Sequence, residues 1–95
     1  MAETAKQHDG QRTEELLRAA RQAAERGEWE AALMGLDLVI ARNAEHAEAR
    51  CLRGSILLRM GQPDLALSDL ECALSALPAV ATCHYDVGLA RLRLG

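Results

Sequence analysis

Phenylalanine is absent from this 95-residue chain, and Trp29 and Tyr85 are its only aromatic residues. Val, Ile and Thr together contribute eight positions. Strands draw on β-branched and aromatic side chains, so this composition excludes a sheet-based fold. A basic excess is also lacking. Eleven Lys and Arg stand against fourteen Asp and Glu, for a net charge of −3. A nucleic-acid binder carries a basic patch or stripe, and none is evident. No apolar run approaches the roughly 18 residues that a membrane-spanning helix needs. Residues 1–12 are polar, without the apolar core of a secretory signal, so the expected location is cytoplasmic. Cys51, Cys72 and Cys83 are odd in number and widely spaced, which implies reduced thiols and not a disulfide framework.

What remains is helix-forming material. Eighteen Ala and sixteen Leu dominate, with Arg and Glu as the main charged residues, so the expected class is all-α. Hydrophobic residues at 49% and charged residues at 26% are globular proportions. The length allows one small domain with a thin core. Ten of the eleven basic residues are Arg, a bias that fits a GC-rich, bacterial source.

Periodicity divides the chain. Residues 1–12 show no apolar repeat, contain Gly10 and are expected to be a disordered or frayed leader. Thr13 can cap a helix bearing Leu16, Leu17, Ala20, Ala23 and Ala24 at spacings of three and four. Gly27 ends it. A second helix carries Trp29, Ala32, Leu33, Leu36, Val39 and Ile40 and fades at Asn43. A third runs from about Ala47 to Met60 and stops at Gly61. Pro63 opens the fourth, where its missing N–H costs nothing, and Pro78 is expected to close it. A fifth spans about Val80 to Leu94. The loops are short, so neighbouring helices should form antiparallel hairpins.

The hairpins repeat. Gly27, Gly61 and Gly95 lie 34 residues apart, as do Ala32 and Ala66, Leu33 and Leu67, and Leu36 and Leu70. Residues 47–61 and 81–95 share Ala47/Ala81, Gly54/Gly88, Leu58/Leu92, Arg59/Arg93 and Gly61/Gly95. A helix hairpin recurring every 34 residues resembles the tetratricopeptide repeat. The resemblance covers residues 13–46, 47–80 and a partial unit at 81–95. Gly54 and Ala66 stand where that family places small residues, and Pro78 where it closes a unit. Leu16, Arg50 and His84 replace its usual Trp, Ala20 replaces the small Gly of the first unit, and Ala44 its closing Pro.

No constellation points to catalysis. His8 and His46 lie apart, and Cys83 and His84 project about 100° from one another on a helix, which suits no shared metal. There is no Cys-x-x-Cys, no His-Glu-x-x-His and no glycine-rich phosphate loop. The cysteines read as small hydrophobes. Glu14 with Glu15, and Asp69 with Glu71, read as solvated helix faces. The expectation is a non-enzyme without metal or cofactor.

The family resemblance implies a groove lined by the first helix of each pair. Leu17, Arg21 and Ala24 would enter it from the first helix. Cys51, Ser55, Leu58 and Arg59 would come from the third, and Tyr85, Leu89, Leu92 and Arg93 from the fifth. Such a groove, mostly apolar with an Arg rim, suits an amphipathic helix or extended peptide of a protein partner. The same residues would also be explained by a cover from residues 1–12 or from a second copy. One branch of the family grips the terminal carboxylate of chaperone tails. Its clamp positions fall here on Leu17, Arg21, Leu52, Thr82 and Asp86, which do not suit a carboxylate. Size, acidity and groove character are similar to the small bacterial chaperones of type III secretion systems. Two other classes fit equally: a self-associating scaffold through residues 81–95, and a non-catalytic accessory subunit of an enzyme.

Overall fold

Three glycines punctuate the fold. Gly27, Gly61 and Gly95 have φ of +78°, +81° and +84°, a left-handed conformation that side chains with a Cβ resist. At the first, Gly27 N–H donates to Ala24 O at 3.0 Å and Glu28 N–H to Ala23 O at 2.8 Å. At the second, Gly61 N–H donates to Leu58 O at 3.1 Å and Gln62 N–H to Leu57 O at 2.9 Å. Both are Schellman closures with identical donors and acceptors one 34-residue step apart. Gly95 N–H repeats the inner bond to Leu92 O at 3.3 Å. The sequence period is therefore a period of backbone geometry.

The computed structural model describes residues 2–76 and 81–95, with side chains described for 12–76 and 83–95. Five helices are present among them: α1 (Ala2–Glu25), α2 (Trp29–Arg42), α3 (Ala47–Arg59), α4 (Pro63–Ala76) and α5 (Ala81–Leu94), and no strand. The chain is all-α, as its composition requires. Residues 77, 79, 80 and the expected stop at Pro78 lie outside the described residues. One boundary is corrected. α1 begins at Ala2 and not at Thr13, so the expected leader continues the helix. Ala2, Glu3, Ala5, Lys6, Gln7 and Gln11 all favour helix, against which Gly10 costs only about 1 kcal/mol. His46 caps α3, its Nδ1 accepting from Ala49 N–H at 3.2 Å.

Each helix packs on the next, and α1, α3 and α5 also touch in succession. Two layers result, the odd helices in one and α2 and α4 in the other. The core has two parts. Leu17, Ala20, Leu36, Val39 and Ile56 centre the first, between α1, α2 and α3. Leu58, Ala66, Leu70, Cys83 and Val87 centre the second, between α3, α4 and α5. Ile56 and Leu58, two residues apart, project about 200° from each other on a helix, so α3 serves both. Gly54 permits the close α3–α4 approach. A Cβ there would lie 2.7 Å from Leu70 Cγ and 3.1 Å from Ala66 O.

Candidate functional site

The 34-residue register sorts the expected groove residues into two sets. Leu17, Cys51 and Tyr85 form one row, and Ala24, Leu58 and Leu92 another. These rows face the neighbouring helices. Leu17 is 3% exposed in the first core cluster and Leu58 is 2% exposed in the second. Neither offers a side chain to a partner, which corrects their placement in the groove. Cys51 is half-buried against the second cluster. Tyr85 and Leu92 occupy the same rows on α5 yet are 71% and 77% exposed. Among the described residues no helix packs on α5 as α4 packs on α3.

The second set does come together on the outer side of the odd helices. A cleft of about 220 Å³ opens there, lined by Arg21, Trp29, Leu52, Ser55 and Arg59 among others. Arg21 pairs with Glu48 across α1 and α3. The Ser55 hydroxyl donates to the Asp86 carboxylate, and Arg59 lies near the same group. Burial raises the Asp86 carboxyl above its ordinary pKa, and Ser55 and Arg59 oppose that rise. Leu89 is half-buried beside this face. Arg93 differs from its expected rim role. Its Nη1 donates to Leu58 O at 2.7 Å, tying α5 to the last turn of α3 and satisfying a helix-end carbonyl.

Trp29, Leu52 and Asp86 were not expected at a partner site. Trp29 reaches the cleft from the first turn of α2, a position that helix periodicity assigns only to the α1–α2 core. Leu52 and Asp86 carried a signal, since they lie one 34-residue step apart and one position beyond the Cys51 and Tyr85 row.

The opposite side holds a charge network. Asp69, expected on a solvated face, is 3% exposed. It accepts from Arg53 Nε at 2.7 Å, Arg53 Nη2 at 2.8 Å and Arg50 Nη1 at 2.9 Å. Arg53 Nη1 also donates to Asp37 at 2.9 Å, and Arg50 Nε to Ala44 O at 2.6 Å. These four side chains floor a second cleft of about 310 Å³ with Leu33, Leu57 and Leu65. Two guanidinium groups balance two carboxylates, so the network locks α2, α3 and α4 together and presents no spare charge to a ligand.

The thiols form a relay. Cys51 hydrogen-bonds to Cys83, whose thiol donates to Leu70 O at 3.4 Å. Burial first, and then the bond to Cys83, push the Cys51 thiol up to about 12. Burial also raises Cys83. Both stay protonated at neutral pH, unlike nucleophilic cysteines. Among the described residues no group of three or more His, Cys, Asp or Glu is placed to hold a metal, and no helix is long and apolar enough to cross a membrane. No protein-family model matches the chain, and no curated protein matches it.

Proposed function

We propose that this chain is a tetratricopeptide-like interaction module that holds a helix or extended peptide of a partner protein across the α1–α3–α5 face. The single observation that carries this reading is the cleft between α1 and α3. Its walls combine an indole and a leucine with two arginines, Arg21 and Arg59, that project to solvent. Apolar anchors set affinity in such grooves, and rim charges set orientation and rate. The 34-residue recurrence of Schellman turns supports the family reading, and the layered order of helices supports a solenoid. Arg21, Ser55, Arg59 and Leu89 remain the contact residues of this proposal, joined by Trp29, Leu52 and Asp86. The finer form, a cytoplasmic chaperone of bacterial type III secretion, rests on similarity of size and acidity.

Selection from a displayed random-peptide library tests this reading. The enriched peptides should carry an apolar anchor and should bind Arg21→Glu/Arg59→Glu at least about tenfold more weakly at low salt, with an unchanged melting temperature. Failure to enrich any peptide, or equal binding to that variant, would overturn it.

A further inference from the structure

The unfilled side of α5 repeats, residue for residue, the side of α3 that α4 covers. Cys51, Gly54, Leu58 and Gly61 on α3 become Tyr85, Gly88, Leu92 and Gly95 on α5. On α3, the Gly54 hole receives Leu70, and Leu58 is buried in a cluster with Ala66. Large residues thus sit over small ones in both directions along that antiparallel pair. On α5 the same hole is open. A Cβ at Gly88 would meet nothing within 4 Å, while Leu92 stands 77% exposed four residues away.

The occupant must offer a large residue to Gly88 and a small one to Leu92. Within this chain the pattern small-x-x-x-Leu occurs as Ala32–Leu36 on α2 and Ala66–Leu70 on α4. Both are buried in the chain's own two core clusters. The remaining copy that is exposed is Gly88–Leu92 on α5 itself. Tyr85, Gly88, Leu92 and Gly95 are all exposed and follow 3-4-3 spacing, which places them on one helix stripe. Their order is large, small, large, small. Read in reverse it is small, large, small, large, so the stripe complements itself when a second copy runs antiparallel to it.

We infer that the α5 stripe is the seam of a two-fold symmetric dimer, with Leu92 of each copy seated over Gly88 of the other. Tyr85 of each copy then meets Gly95 of the other. The contact is isologous and closes at two subunits. It leaves the α1–α3 cleft free, so it stands independently of the peptide-binding reading. A seam of two 14-residue helices is smaller than a standard interface. Its dissociation constant should therefore be on the order of 10–100 μM.

Sedimentation equilibrium of the full chain under reducing conditions, from about 1 μM to about 1 mM, tests this. The parent should pass from monomer to dimer and go no further. Gly88→Leu fills both holes and Leu92→Gly removes both knobs, so each should weaken the dimer at least about tenfold. The exchange variant Gly88→Leu/Leu92→Gly restores a large residue opposite a small one and should return to within about threefold of the parent. Circular dichroism and melting temperature report whether each variant folds. A parent that stays monomeric at the top concentration overturns the inference. So do single variants that dimerise like the parent, an exchange variant that is not rescued, or species larger than two.

Discussion

Replacing Asp69 by Asn removes one charge from the interior and almost no volume. The carboxylate accepts three charge-assisted bonds, of 2.7, 2.8 and 2.9 Å, from Arg53 and Arg50. Its side chain is 4% exposed, whereas those of Arg50 and Arg53 are 20% and 23% exposed. Breaking a fully buried ion pair costs about 3–5 kcal/mol, because a charge is stranded. Here the stranded guanidinium groups reach water in part. Arg53 keeps Asp37, and Arg50 keeps the Ala44 carbonyl. The expected loss is therefore lower, about 2–3 kcal/mol. For a domain of this size that is a fall in melting temperature of about 10–20 °C. Urea unfolding followed by circular dichroism at 222 nm would measure it, with the parent's m-value as control for a changed unfolded state. The Asp69→Asn effect should survive about 1 M NaCl, since the carboxylate is shielded from mobile ions. A loss under about 0.5 kcal/mol, or one that vanishes in salt, would refute the buried-network account.

The two equivalent glycines should respond with opposite signs. Gly54→Ala forces a Cβ against Leu70 and the Ala66 carbonyl and should cost about 1–3 kcal/mol. Gly88→Ala has open space and should stabilise the monomer by about 0.5–1 kcal/mol, which thermal melts at low micromolar concentration would show. Asp86 binds its proton more tightly in the folded state than in the unfolded chain, so its contribution falls as pH rises from the ordinary carboxylate range through its raised value. Asp86→Asn should remove that downward step, leaving a stability difference from the parent that grows between about pH 3 and 7. Cys51 and Cys83 should resist a disulfide reagent at pH 8 in the folded chain and react fully in urea. Modification of Cys51 at the rate of a free thiol would contradict the relay.

The punctuation of this fold was readable from glycine alone, because a left-handed residue after a helix is a local requirement. Gly27 and Gly61 set both hairpins without help from tertiary contacts. Direction around the helix was less accessible. A 34-residue step shows that Leu17, Cys51 and Tyr85 are equivalent, but not which way the row points. It points inward, and only the missing neighbour of α5 leaves Tyr85 and Leu92 in solvent. Asp69 escaped because apolar periodicity ignores charged residues, although its spacing from Ala66 and Ala73 places it on the buried stripe of α4. Arg50 and Arg53, three residues apart on α3, held the matching clue. The network has no counterpart in the first unit, where Gly35 replaces Asp69 and Leu16 replaces Arg50, so the repeat itself gave no hint of it. Arg93 was assigned by its charge, yet its donor is spent on a carbonyl that only the folded α3–α5 contact brings near.

The central claim is that the α1–α3 cleft is where a partner peptide docks. Trp29 is the only tryptophan and lines that cleft, so its emission reports occupancy directly. Titration of the chain with a library-selected peptide should shift the Trp29 emission saturably, and Arg21→Glu/Arg59→Glu should move the midpoint at least about tenfold at low salt. A peptide that binds by calorimetry while leaving Trp29 emission unchanged would place the site elsewhere and contradict the account.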